Sequence, residues 1–248
     1  MADERLPELP RKLGRYRVRA WIDGGLRVRA TDTIGERPAE LERVPFGVAR
    51  TAEREAAIAR WRGHGAVSHP AIRSLLDAGP WEDDAFVAEE ELAAPVSELA
   101  PWLAAADDRA KARAAAELLG AASVLAAHRL RLPEIEVRVD AYGQPKLEGL
   151  RRAEAADGAL DARILALAAE AVDGELAAAV RSADPETLPG LLAALAKRTD
   201  GPLTSFAADV AKGEASLGRA ARSRQMTVAL ALIGLAFAIV AAAAYFAR

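Results

Sequence analysis

An α+β fold, antiparallel strands first and helices after, with a membrane-crossing helix at its C-terminus, is what this sequence predicts. Three observations carry that expectation. Residues 16–22 (YRVRAWI) and 26–30 (LRVRA) alternate apolar and polar side chains with period two on either side of Asp23-Gly24-Gly25, the pattern of a half-buried hairpin. From Pro95 onward the apolar spacing becomes helical. The run from Gln225 to Ala247 contains no charged residue, and at ~1.5 Å per residue it is long enough for a hydrocarbon core of ~30 Å.

Taken in order, residues 1–13 are Pro-rich and charged and are expected to form a flexible arm. The Tyr16–Ala30 hairpin follows, with Arg15, Arg17, Arg19, Arg27 and Arg29 expected on one face as a possible contact for an acidic partner or anionic lipid. An ordinary solvated strand face is the plainer alternative. Ala39–Glu42 gives the next strand. Residues 50–63 (RTAEREAAIARWRG) read as an amphipathic helix with Ala52, Ala56 and Ala59 on its apolar side, flanked by Ile58 and Trp61. Leu75–Gly79 and Ala85–Glu89 read as strands joined by a turn over Pro80–Asp84. A short helix over Ser97–Ala106, interrupted near Pro101, precedes a long one to about Arg129, capped by Asp107 or Asp108. Val137–Val139 and Pro145–Leu147 flank a turn at Asp140-Ala141-Tyr142-Gly143. Helices are expected over Asp161–Gly174, from Asp184-Pro185-Glu186 to Lys197, and from about Leu203.

Composition narrows the function. The chain has 248 residues, 52% of them hydrophobic and 5% aromatic, and a core built on Ala and Leu favours close-packed helices over a broad sheet. A net charge of −3 gives no bulk attraction to nucleic acid. The absence of Cys excludes disulfides and thiolate metal sites, and three His make a metal cluster improbable. The N-terminus lacks the basic-then-apolar start of a signal peptide.

Residues 128–153 (HRLRLPEIEVRVDAYGQPKLEGLRRA) carry a resemblance. A helix ending in Ala127-His128, then a hairpin EVRVDAYGQPKL, resembles the centre of a bacterial Ser/Thr protein kinase, with the catalytic loop between the two elements missing. Gly24, Gly25, Val28, Ala30 and Asp32 resemble part of the family's Gly-rich loop and its following strand. Arg54-Glu55 with Ser68-His69-Pro70-Ala71-Ile72 resembles the passage from its regulatory helix to the fourth strand, and Glu89–Leu92 falls at its hinge. The resemblance covers roughly residues 14–175 and implies a two-lobe fold: an antiparallel small lobe with one helix over 14–92 and a truncated helical large lobe over 93–202.

The same resemblance argues against activity. Glu42 stands at the position of the ATP-anchoring Lys, where a carboxylate repels phosphates. Glu55 stands at the position of that lysine's ion-pair partner, Gly149 at that of the metal-binding Asp, and no base or metal-binding Asn has a counterpart. The implied protein is a catalytically inactive, kinase-like protein-binding or scaffolding module without cofactor or metal, for which ATP binding is not expected. Residual nucleotide chemistry through Glu134, Glu136 or Glu148 is one alternative, and a structural membrane protein acting through its helices is another.

Residues 203–224 are expected to form a juxtamembrane helix or linker, and 225–248 a tail anchor. The span begins at Met226, carries Gly234 four residues before Ala238 in a weak small-residue pattern, and ends at Tyr245-Phe246 in an interface-like position. Arg219, Arg222 and Arg224 precede the span and only Arg248 follows, which predicts a single-pass protein of the inner membrane with its N-terminal domain in the cytoplasm.

Overall fold

The computed structural model describes residues 10–23 and 26–199, a mixed α+β arrangement. The expected juxtamembrane segment and membrane span, with Met226, Gly234 and Phe246, lie outside the described residues, as do Gly24 and Gly25. Among the described residues no helix is long and apolar enough to cross a membrane.

Six strands form one antiparallel sheet: β1 (Lys12–Leu13), β2 (Tyr16–Asp23), β3 (Arg27–Asp32), β4 (Pro38–Val44), β5 (Leu75–Trp81) and β6 (Asp84–Glu90). Their order is β1-β2-β3-β4-β6-β5. Alternation sends Leu13, Tyr16, Val28, Ala30, Ala39, Leu41, Phe86 and Ala88 to one face, where they form a core with Trp81. In a flat sheet β2 and β6 would lie three strand spacings apart, ~14 Å. The Tyr16 and Phe86 rings nevertheless meet edge to face at 6.0 Å, and Trp21 of β2 stacks on Trp81 of β5 at 6.2 Å. The sheet is therefore curled around its own apolar face. Alanines make the curl possible, because small side chains at positions 30, 39 and 88 leave room for the aromatic rings.

Three corrections follow. A core rich in Ala and Leu did not exclude a broad sheet, since here the alanines sit inside one. The N-terminal arm does not run to residue 13, because Lys12 and Leu13 pair with Arg17 and Tyr16. The turn between β5 and β6 is only Glu82-Asp83, with Pro80, Trp81 and Asp84 inside strands.

Between β4 and β5 lies α1 (Thr51–His64), which buries Ala57, Ile58 and Trp61 and packs mainly on β5. The expected alanine stripe is rotated: Ala52, Ala56 and Ala59 are exposed, because the two large side chains fix which face turns inward. A short strand β7 (Ser97–Glu98) leads into α2 (Leu99–Ala105). Pro101 falls in the first turn of α2, where a missing N–H breaks no hydrogen bond, so the helix is uninterrupted.

The long helix α3 (Asp108–Ala127) is capped by Asp107, which accepts from the Ala110 N–H at 2.7 Å. Every residue from Ala114 to Ala122 is buried, so it is enclosed on all sides, packed against α4 (Ala162–Glu170) and α6 (Leu188–Arg198). The helix expected over Asp161–Gly174 ends at Glu170, and a separate α5 (Gly174–Arg181), not foreseen, packs on α4. The helix expected from Asp184 begins later, at Leu188, because the Asp184 carboxylate accepts from the Glu186 and Thr187 N–H groups and makes a turn of that segment.

The remaining described strands are β8 (Leu130–Arg131), β9 (Val137–Val139), β10 (Pro145–Leu147) and β11 (Glu154–Ala155). The β9–β10 hairpin has the expected bounds, and β7 adds to its edge. Backbone bonds tie this hairpin to the segment before β5: Leu147 N–H donates to Ala71 O at 2.8 Å, and Arg73 N–H to Leu147 O at 2.9 Å.

Gly79 lies directly across from Phe86, and a Cβ on it would come 2.7 Å from the Phe86 ring. Gly79→Ala is expected to cost about 1–3 kcal/mol by overpacking, measured as a lowered urea midpoint at unchanged m-value.

Candidate functional site

The face of the sheet opposite its apolar core is ionic. Register sets Arg29 across from Glu40 and Glu40 across from Glu89, with Arg27 across from Glu42 in a neighbouring row. Opposite charges in directly facing positions attract, but these acids find their main partners outside the sheet. Arg73 enters from the segment before β5, with its side chain only 9% exposed. Its guanidinium lies 2.5 Å from Glu40, 3.3 Å from Glu89 and 3.2 Å from Glu148, and its Nε donates to the Glu90 carbonyl at 2.9 Å. Arg151 pairs with Glu42 at 2.7 Å, and Lys146 donates to both carboxylate oxygens of Glu90 at 3.0 Å.

Four segments far apart in sequence thus meet in one network: 40–42, 73, 89–90 and 146–151. Its electrostatics are strained toward the acid side. Burial pushes the Glu89 carboxyl up, Arg73 and Arg151 pull it back, and Glu148 and Glu42 add to the rise. For Arg73, burial opposes the charge, but Glu89, Glu40 and Glu148 outweigh it and hold the guanidinium above its ordinary value. On α3, burial likewise raises Glu117, against the opposing pull of Arg113.

Of the residues singled out from sequence, Glu42 is brought into this network. Glu55 is exposed on α1, and no described residue forms an ion pair with it. Gly149 adopts φ +88°, a left-handed conformation suited to glycine, and opens the 3₁₀ turn Leu150–Arg152 that presents Arg151. The alternative acids are also paired: Glu134 with Arg152 at 2.6 Å, Glu136 with Arg138 and Glu148 with Arg73. Sequence reasoning missed Arg73, Glu40, Lys146 and Arg151 as members of one cluster. A lone Arg after an apolar tripeptide carries no local signal, since its partners come from three other segments.

The five arginines of the first hairpin do not form one uniform basic face. Arg15 leaves it, bonding the Tyr16 hydroxyl and the Leu76 carbonyl and pairing with Asp32 at 3.3 Å. Arg27 pairs with Asp23 at 2.7 Å and Arg29 with Glu91 at 3.1 Å. Only Arg17 and Arg19 are exposed with no ion pair among the described residues.

His69 lies beneath the network, 6% exposed, with its Nδ1 accepting from the Ala71 N–H at 3.0 Å. Burial, and then the nearby Lys146 cation, lower its pKa to about 4. Elsewhere, a groove of about 460 Å³ runs along Arg131, Glu154, Asp161 and Arg163. Those charges pair with each other, Arg131 with Glu154 at 3.0 Å and Arg163 with Asp161 at 2.7 Å, which makes it a bracing surface.

Removing the central cation leaves three carboxylates facing one another. Arg73→Met is therefore expected to cost about 3–5 kcal/mol, read as a lowered urea midpoint. His69 must stay neutral in the folded state, so protons favour unfolding below its ordinary pKa of 6.5. Relative to a His69→Asn variant, the wild type should lose up to about 3 kcal/mol as pH falls from 6.5 to about 4. Urea denaturation at a series of pH values checks this, and parallel curves for the two proteins would refute it.

No protein-family model matches this sequence and no curated protein matches it, so what the charged face does has to be read from its own geometry.

Proposed function

We propose that this chain is a kinase-like pseudoenzyme: a membrane-anchored protein-binding or scaffolding module that does not transfer phosphate. One observation carries the reading. The positions that the resemblance assigns to nucleotide are the lysine position at Glu42, the hinge at Glu89–Leu92 and the metal position at Gly149. Around them the charged side chains pair with each other. Glu42 meets Arg151 and the hinge glutamates meet Arg73 and Lys146, so the face is filled by the protein's own ions.

Charge supports the same reading. Glu40, Glu42, Glu89 and Glu148 outnumber Arg73 and Arg151 in the core of the network. A nucleotide phosphate 4 Å from an uncompensated carboxylate would meet a repulsion of about 4 kcal/mol at an effective dielectric of 20. Phosphoryl transfer needs the opposite arrangement, cations and metal-held carboxylates around the phosphates. The strand sequence with a single helix between β4 and β5 fits the small lobe that the resemblance implies. Attachment to the membrane rests on the uncharged run 225–247 and the arginines before it.

The purified full chain in detergent should show no thermal shift with millimolar ATP, with or without Mg²⁺, and no transfer of label from γ-labelled ATP. A ligand present at a hundred times its Kd would add about 2.7 kcal/mol, a shift of several degrees. A clear Mg²⁺-dependent shift would overturn the proposal.

A further inference from the structure

Every arginine of the ionic face is matched by an acid, but the open edge of the same sheet is not. Lys12 and Arg17 are directly opposed across β1 and β2, an arrangement in which like charges repel. Arg19 is the extra residue in the irregularity between Val18 and Ala20, where Ala20 pairs with Arg29. Arg11, Lys12, Arg17 and Arg19 are all exposed, and none of them forms an ion pair among the described residues. Charge on an edge strand also keeps it from pairing with another sheet. That role calls for charge on the edge strand itself, whereas Arg17 and Arg19 stand on β2, the next strand in.

We propose that this edge, Arg11, Lys12, Arg17 and Arg19, docks on the anionic phospholipid headgroups of the membrane that holds the chain. The inference rests on the membrane-anchored reading above. Within the Debye length of ~8 Å, the charge of anionic headgroups attracts basic side chains. Phosphate headgroups would supply the counter-charges that the Lys12–Arg17 pair lacks, and arginines can hold phosphate oxygens in bidentate fashion.

The test reconstitutes the full chain into vesicles of phosphatidylcholine alone or of a 3:1 mixture with phosphatidylglycerol. The rate of Lys12 acetylation is read by peptide mass spectrometry, with the exposed Lys197 as internal reference. Docking predicts Lys12 reacting about threefold or more slowly on the anionic vesicles at low salt, with the difference removed by high salt. It should also vanish in an Arg17→Glu/Arg19→Glu variant, whose thermal midpoint should not fall, because a glutamate then faces Lys12. Equal rates on the two vesicles would overturn the proposal. So would slow acetylation on both vesicles and in detergent, which would assign the patch to the chain's own acids at Asp3, Glu4 and Glu8. Alkaline carbonate extraction separates the two readings: release of the chain refutes the anchor, whereas a retained chain with equal Lys12 rates refutes only docking.

Discussion

Arg73 holds the described structure together. Burying a guanidinium is costly by several kcal/mol, and the cost is offset only where carboxylates and hydrogen bonds surround it completely. Here Glu40 comes from β4, Glu89 and the Glu90 carbonyl from β6, and Glu148 from the end of β10. The Arg73 N–H is fixed on Leu147 as well, so backbone and side chain reach the same hairpin. Arg73 thereby ties the curled sheet to the hairpin below α3. Lys146–Glu90 and Arg151–Glu42 act beside it, and each draws an acid away from the others.

This network also reverses a familiar polarity. A sheet that receives a nucleotide presents cations to the phosphates, whereas β4 here presents Glu40 and Glu42 and takes its cations from Arg73 and Arg151. The charges compensate one another. Glu42 alone would be a half-buried charge without a partner, but two residues after Gly149 the chain supplies the arginine that pairs with it. Such mutual adjustment is what a face kept for internal bracing requires, and it supports the inactive reading proposed for the chain.

Much of the local structure was legible in the sequence. Period-two alternation and the turn residues gave β2, β3, β9 and β10 nearly to the residue, and Asp107 marked the start of α3. What failed did so for identifiable reasons. In α1, alanines at 52, 56, 57 and 59 suit several helical faces equally, and only Ile58 and Trp61 decide among them. β1, β7, β8 and β11 are two-residue pairings made by tertiary contact, with no periodicity to read. The candidate site was half visible: Glu42 and the acids at 89–91 could be singled out, but nothing near Arg73 announces that three distant segments converge on it. The apparent basic face of the first hairpin was an overstatement, since register cannot show that Arg15, Arg27 and Arg29 each reach an acid.

The enclosure of α3 has a consequence for how this protein can change over time. From Ala114 to Ala122 every position is buried, and five of the nine are alanine, which lets neighbouring helices approach near the lower end of the usual 8–10 Å. A surface helix can drift on its solvent side; this one has no such side over that span. Replacing an inward methyl group by anything larger forces a neighbouring helix outward, and replacing it by glycine weakens the helix itself. Over about two and a half turns, no side chain can change size without a neighbouring helix moving with it, so a substitution there has to be matched by a second one in α4 or α6.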